Sequence, residues 1–184
     1  MVGNSGSGKS RLAGTLAARL GVPHVELDAL FHLPEWGELP ADEFRRQVAD
    51  LTAADGWVVD GNYLTARDVV WGRADTVVWV DPPRALVMFR VVSRSLARVV
   101  FRRDLWNGNR ERWSSLLSTD PAKSIVAWSW TQHRAYRDRY SAAMSDPAWA
   151  HLTFVRLRSA SDTAGLLSSL GHRGDDVPDQ RLRR

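Results

Sequence analysis

Met1-Val2-Gly3-Asn4-Ser5-Gly6-Ser7-Gly8-Lys9-Ser10 opens the chain, and its reading decides the fold. Gly3-x-x-x-x-Gly8-Lys9-Ser10 is the spacing of a phosphate-cradling loop. An amphipathic run follows at once. Leu12, Leu16 and Leu20 recur every four residues beside Ala13 and Ala17, and Gly21 and Pro23 stop the pattern, which predicts a helix over 10–20. Glycines let successive backbone N–H groups approach and converge on phosphate oxygens, helped by the N-terminus of that helix. Gly3, Asn4, Ser5, Gly6, Ser7, Gly8, Lys9, Ser10 and Arg11 are therefore the candidate nucleotide-binding residues. Lys9 would reach the terminal phosphates and Ser10 would bind Mg²⁺.

Charge composition sharpens the reading of Lys9. Of 25 basic residues only Lys9 and Lys123 are lysine. In a chain that otherwise uses arginine, a compact ammonium inside the loop is chosen for its shape, because a planar guanidinium is too wide. The chain of 184 residues is long enough for one domain with its own core. It has no cysteine, which excludes disulfides and thiolate metal sites. No apolar run approaches the roughly 20 residues of a membrane span. The first residues are the loop itself rather than a secretory signal, so the expectation is a cytoplasmic protein with no membrane partner.

Working outward, strands are expected over 24–28, 57–60, 76–81 and 151–157. Helices are expected over 42–54, 82–103, 121–144 and 161–170. Strands alternating with helices predict an α/β fold with a parallel sheet covered on both faces. A phosphate loop normally follows a central strand, yet only Met1 and Val2 precede Gly3. The expectation is that the central strand is missing or truncated, that the sheet is weakened in its middle, and that the natural start lies upstream. Residues 1–170 read as one domain, with a polar lid region at about 102–120. Residues 171–184 read as a frayed tail.

Two strands end in an acid that could orient Mg²⁺, Asp60 and Asp81. Asp81 precedes Pro82-Pro83 and a helix, which suits a cap. Asp60 precedes the tight turn Gly61-Asn62, at the strand end where open α/β sheets bind ligands, and is preferred as the metal-orienting acid. Asp28 ends the first visible strand on the same sheet edge. It could hold an acceptor hydroxyl or serve as its base, or simply cap the following turn. In the long helix Arg90, Arg94, Arg98 and Arg102 fall every four residues and form one stripe. With few acids beside it, the stripe suggests an anion docking there, phosphate above all; an ordinary basic outer face is the alternative.

The residues quoted so far, together with Leu27-Asp28-Ala29-Leu30-Phe31, Trp57-Val58-Val59-Asp60-Gly61-Asn62-Tyr63, Arg67-Asp68, Arg73-Ala74-Asp75 and Leu105-Trp106-Asn107-Gly108-Asn109-Arg110-Glu111, carry a resemblance. The chain resembles the P-loop nucleoside and nucleotide kinases, specifically the small bacterial adenylate-kinase-like family often labelled "DNA topology modulation protein". The resemblance implies a P-loop NTPase three-layer sandwich, a closing substrate lid, and ATP with Mg²⁺ as the donor. It implies catalytic roles for Lys9, Asp60, Asp28 and the lid arginines Arg98 and Arg102. It also implies acceptor contacts from Asp28, Asn62, Tyr63, Arg67 and Arg110. Adenylate kinases carry Asp-Gly-Phe-Pro-Arg where this chain has Asp60-Gly61-Asn62-Tyr63, so the acid corresponds and the acceptor residues do not. Arg67 is then the candidate for the missing arginine's role.

The expected activity is phosphoryl transfer from ATP to a small-molecule acceptor. A nucleoside monophosphate is the first expectation, because so many arginines imply an acceptor that already carries phosphate; a nucleoside or polyol comes next. A nucleic-acid-associated ATPase gripping backbone phosphates is the alternative, though no separate DNA-binding motif accompanies it. A truncated, inactive relative is a further one. A guanine-specificity motif of the Asn-Lys-x-Asp kind is absent, which disfavours a GTPase switch.

Overall fold

The structure, a computed structural model, describes residues 1–101, 104–109 and 113–171. The expectations for Arg102, Arg110 and the tail beyond Gly171 lie outside the described residues. Among those described, the elements run β1 (Val2–Gly3), α1 (Lys9–Leu20), β2 (His24–Glu26), α2 (Leu27–Phe31), α3 (Ala41–Leu51), β3 (Val58–Asp60), α4 (Arg67–Trp71), β4 (Thr76–Val80), α5 (Arg84–Val100), α6 (Trp113–Leu117), α7 (Ile125–Ala143), β5 (Thr153–Leu157) and α8 (Ala160–Gly171). This is a mixed α/β fold built on parallel strands. β1 pairs with β4 and β4 with β5, while β2 pairs with β3, all parallel.

The central strand is present but truncated, the second of the two outcomes expected for it. It is two residues long, with Val2 opposite Trp79 and Gly3 opposite Val80. Met1 extends it toward β3. Its ammonium donates to the Val59 carbonyl at 2.6 Å, and its own carbonyl accepts from the Gly61 N–H at 3.2 Å. One residue thus joins the two parts of the sheet, in the spatial order β2-β3-β1-β4-β5. Burial costs the Met1 ammonium its hydration and lowers its pKa to about 6, against an opposing pull from the Asp60 carboxylate and a further lowering by Lys9.

β4 shows why the sheet is covered on both faces. Its side chains alternate, as the pleat requires. Val77 and Trp79 enter a cluster with Trp71 of α4 and Tyr136, Tyr140 and Ala143 of α7. Val78 and Val80 enter another with Leu12, Ala13, Leu16 and Ala17 of α1, flanked by Leu166, Leu167 and Leu170 of α8. A strand apolar on both faces reads as an unbroken hydrophobic run, as Thr76–Val80 does. A third cluster seats α3 on the β2–β3 pair, where Phe44 and Val48 are fully buried against Val25 and Val59. Burying each such side chain contributes about 1.5–3 kcal/mol.

Parallel strands present all their carboxyl ends at one edge. That edge carries the Gly3–Ser10 loop after β1, Asp28 just beyond β2, Asp60 at the end of β3 and Asp81 after β4. Asp28 is not on a strand as expected: β2 stops at Glu26, and Asp28 lies in the first turn of α2.

Candidate functional site

The loop is fixed on every side. Its first peptide is clamped by Asn62: the Gly3 N–H donates to Oδ1 at 3.0 Å, and Nδ2 donates to the Gly3 carbonyl at 2.7 Å. Tyr140 Oη donates to the same Oδ1 at 2.8 Å. The resemblance assigns Asn62 to the acceptor; the structure engages both halves of its amide with the loop backbone. Gly3 is required here because a Cβ would collide with the Val80 carbonyl oxygen of β4. Asn4 Nδ2 donates to the Ser129 carbonyl of α7 at 2.8 Å, and Ser129 Oγ donates to the Ser5 carbonyl at 3.1 Å.

α5 closes the other side. Arg90 Nη1 donates to the Ser7 carbonyl at 3.1 Å, and Arg94 Nη2 to Ser5 Oγ at 2.9 Å. Gly6 makes that approach possible, since a Cβ there would strike Val91 Cγ2 and sit 2.9 Å from the Val87 carbonyl oxygen. The arginine stripe therefore meets the loop through Arg90 and Arg94, whereas the sequence reading selected Arg98 and Arg102. Arg98 lies one turn further along α5. Arg84, at the start of α5, is stacked 3.4 Å above the exposed Trp130 ring and donates to the Trp130 carbonyl at 2.9 Å.

Lys9 and Ser10 are the first residues of α1, and Arg11 follows on the same turn. Gly8 takes a left-handed backbone at φ 97° as the N-cap, with no side-chain cap, leaving the first-turn N–H groups to point out of the helix end. Ser7 Oγ is buried, and no protein group pairs with it. An unpaired buried hydroxyl in a loop that opens onto a helix N-terminus without a side-chain cap, with Arg90 and Arg94 bonded to that loop, suits a polyphosphate anion, so the residues present fit a bound nucleotide.

Asp60 and Asp81 flank the central strand, and both are buried. Asp81 sits between two arginines. Arg137 Nε donates to it at 3.1 Å and Arg156 Nε at 2.9 Å, with the Arg156 guanidinium also lying 3.9 Å over the Trp79 ring. The N-cap of α5 is Pro83, so the expectation that Asp81 caps that helix is not met. Asp60 instead has His24 Nε2 3.2 Å from its Oδ1, with only 1% of its side chain exposed. Nothing in the local sequence pattern of His24 places it against an acid 36 residues away. Lys9 and Asp60 both act electrostatically on the buried Met1 amine.

On the β2 side, Tyr63 Oη donates to Asp28 Oδ1 at 2.7 Å. Burial and the adjacent Asp28 charge hold the Tyr63 hydroxyl far above the usual phenol range. Phe31 packs on Tyr63 with ring centroids 4.7 Å apart. The Arg67 guanidinium lies over Trp71 and Trp149, 5.4 and 5.6 Å from their ring centroids, and lines a cavity with Asn62 and Tyr63.

The Leu105–Asn109 segment lies within the expected lid region. It forms a short turn at Trp106–Gly108 and is latched to the segment after α2. Asn109, buried, accepts from the Trp36 N–H at 2.8 Å and donates to the Leu33 carbonyl at 2.9 Å. Asn107 Nδ2 donates to the carbonyls of His32 and Ala29. Trp106 stacks on His32 at 5.9 Å. Two side-chain amides reading backbone groups fix this segment across the site. Among the described residues no helix is long and apolar enough to cross a membrane.

A scan against protein-family models finds no match for this chain, and a search of curated proteins finds none either.

Proposed function

We propose that the chain is an ATP-dependent phosphotransferase of the P-loop kinase class, acting on a small-molecule acceptor. The observation that carries this reading is the buried Asp60 carboxylate beside a Gly3–Ser10 loop whose Ser5 and Ser7 are gripped by Arg94 and Arg90. Magnesium-bound ATP would supply the transferable phosphoryl group and its leaving group. The chain's own residues do the rest. Loop N–H groups and the α1 N-terminus hold the phosphates in place. Lys9, Arg90 and Arg94 stabilise negative charge where it develops. Ser10 and Asp60 would hold the metal, with His24 orienting the Asp60 carboxylate. Asp28, steadied by Tyr63, would orient the acceptor hydroxyl and take its proton.

The nucleic-acid-associated ATPase reading is weaker, because Arg90 and Arg94 of the stripe are engaged with Ser7 and Ser5 of the loop. ADP release from Mg²⁺-ATP, measured with and without acceptors and with duplex DNA, separates the two. Release that requires a small acceptor and disappears in Lys9→Ala supports the phosphotransferase; release stimulated by DNA alone contradicts it.

A further inference from the structure

Gly3 is where the loop leaves its strand, and the strand holds it lightly. β1 pairs with β4 over two residues, and Gly3 is the second of them. Its φ is 147°, and a Cβ there would collide with the Val80 carbonyl oxygen, so the position is closed to every other residue. Glycine leaves a backbone free to turn, and the orientation of this one has to be imposed from outside. Asn62 imposes it: the Gly3 N–H donates to Oδ1 at 3.0 Å, and the Gly3 carbonyl accepts from Nδ2 at 2.7 Å. An amide oxygen has two lone pairs, and both are taken here, the second by the Tyr140 hydroxyl at 2.8 Å.

Tyr140 is itself fixed. It is buried, and its ring lies among Trp79, Tyr136 and Trp71, with centroids 5.6, 5.9 and 6.4 Å away. Burial, and after it the neighbouring Tyr136, hold its hydroxyl above the ordinary phenol range, so it keeps its proton and stays a donor. Tyr140 belongs to a buried row on α7, with Ser129, His133 and Tyr136, whose members fall three or four residues apart and share one face. That face meets the loop at a second point. Ser129 Oγ donates to the Ser5 carbonyl at 3.1 Å, and the Ser129 carbonyl accepts from Asn4 Nδ2 at 2.8 Å. Ser129 and Tyr140 stand about three turns, or about 16 Å, apart along the helix. Gly3 and Ser5 span at most about 7 Å. The loop is shorter than the separation of its two supports, and the Asn62 side chain bridges the difference.

We propose that Tyr140 is a positioning residue for phosphate binding, which acts through Asn62 to hold Gly3 in the orientation the loop needs to close on an anion. α7 thereby braces the loop at Gly3 as well as at Ser5. The part Tyr140 plays is geometric: it orders an amide, and the amide orders a glycine. The inference rests on the reading that the Gly3–Ser10 loop holds a nucleotide, and on no assumption about the acceptor.

The test uses the full chain with Mg²⁺-ATP as the probe, affinity being read by calorimetry and stability by thermal melting. Tyr140→Phe keeps the ring and loses one neutral hydrogen bond, so ATP binding should weaken about 3–10-fold. Asn62→Ala removes the clamp itself and should weaken binding about 10-fold or more. The double variant should bind within about 2-fold of Asn62→Ala alone, because the hydroxyl then has nothing to act through. Phe154→Leu separates positioning from stability. Phe154 packs on Trp71, in the same cluster as Tyr140. Its truncation should lower the melting temperature and leave ATP affinity within about 2-fold of wild type. ATP affinity in Tyr140→Phe within about 2-fold of wild type would overturn the inference, and so would losses that add in the double variant. An equal loss of affinity in Phe154→Leu would overturn it too, since stability alone would then explain the effect. If Asn62→Ala does not fold, Tyr140→Phe against Phe154→Leu decides the matter. A wild-type chain that binds no Mg²⁺-ATP would remove the nucleotide reading and this inference with it. Binding in the wild type that Tyr140→Phe leaves unchanged would remove this inference alone.

Discussion

Asp60 and Asp81 invite direct comparison. Each ends a strand or follows one, each is buried, and the two strands lie on either side of the same short central strand. Their surroundings separate them. Asp81 is neutralised by Arg137 and Arg156, which reach it from α7 and β5 and so tie those elements to the end of β4. Among the described residues Asp60 has one ion-pair partner, His24, and its charge acts, like that of Lys9, on the buried Met1 amine. An acid already paired with two guanidinium groups is a structural fastener. An acid with acceptor capacity left beside the glycine-rich loop is the one we propose as metal-orienting. Burial by itself does not distinguish the two; the charge that meets each carboxylate does.

The largest effect that can break this comparison is on turnover. Asp60→Asn removes the charge at nearly constant shape, so kcat for phosphoryl transfer should fall about 100-fold or more with the melting temperature little changed. Steady-state kinetics beside a thermal melt checks this, and full activity in Asp60→Asn would reassign the metal-orienting role. Asp81→Asn should do the reverse. It leaves two guanidinium groups against an uncharged partner and should cost about 2–3 kcal/mol of stability in urea denaturation, with Mg²⁺-ATP affinity retained. A melt unchanged by Asp81→Asn would undo its reading as a fastener.

A smaller effect concerns the latch. Asn109→Ala removes hydrogen bonds to Trp36 and Leu33 from a buried position. It should cost about 1–2 kcal/mol and raise the KM of the acceptor more than that of ATP, because the loop's own contacts are untouched. Equal changes in both constants would show that the latch supports the whole site rather than the acceptor side.

The smallest effect is at low pH. Arg45 holds the Asp68 carboxyl at about 2, below its ordinary value of 3.8, chiefly by a direct hydrogen bond. A depressed carboxyl pKa stabilises the fold above the unfolded value and loses that contribution as pH falls toward the folded one. Stability should therefore decline between about pH 4 and pH 2, and Arg45→Ala should flatten that limb slightly, since the pair is largely exposed. Urea denaturation over this pH range reads the difference.

Much of this arrangement was legible in the sequence, and the parts that were not share a physical cause. The loop, α1 and the acids at strand ends follow from local spacing, and the structure places them on one edge. The i,i+4 spacing also placed Arg90, Arg94 and Arg98 on one stripe. Which of them meets the loop depends on how far α5 slides along it, and that is set by the contact of Gly6 with Val87 and Val91, about 80 residues apart in the chain. Two residues are too few to show a strand pattern, so β1 was invisible until its partners were known. Leu105–Asn109 is rich in turn formers and reads as mobile, because nothing in its own sequence shows that its amides meet backbone groups of residues 29–36. The contacts of Asn62 and His24 are hidden for the same reason: their partners, Gly3 and Asp60, lie 59 and 36 residues away.

The most direct test of the central claim is calorimetric titration of the wild-type chain, Lys9→Ala and Asp60→Asn with ATP, each with and without Mg²⁺. The account predicts one site per chain in the wild type, binding strengthened by Mg²⁺, little binding in Lys9→Ala, and binding in Asp60→Asn that no longer responds to Mg²⁺. Equal ATP affinity in all three proteins, indifferent to Mg²⁺, would contradict it.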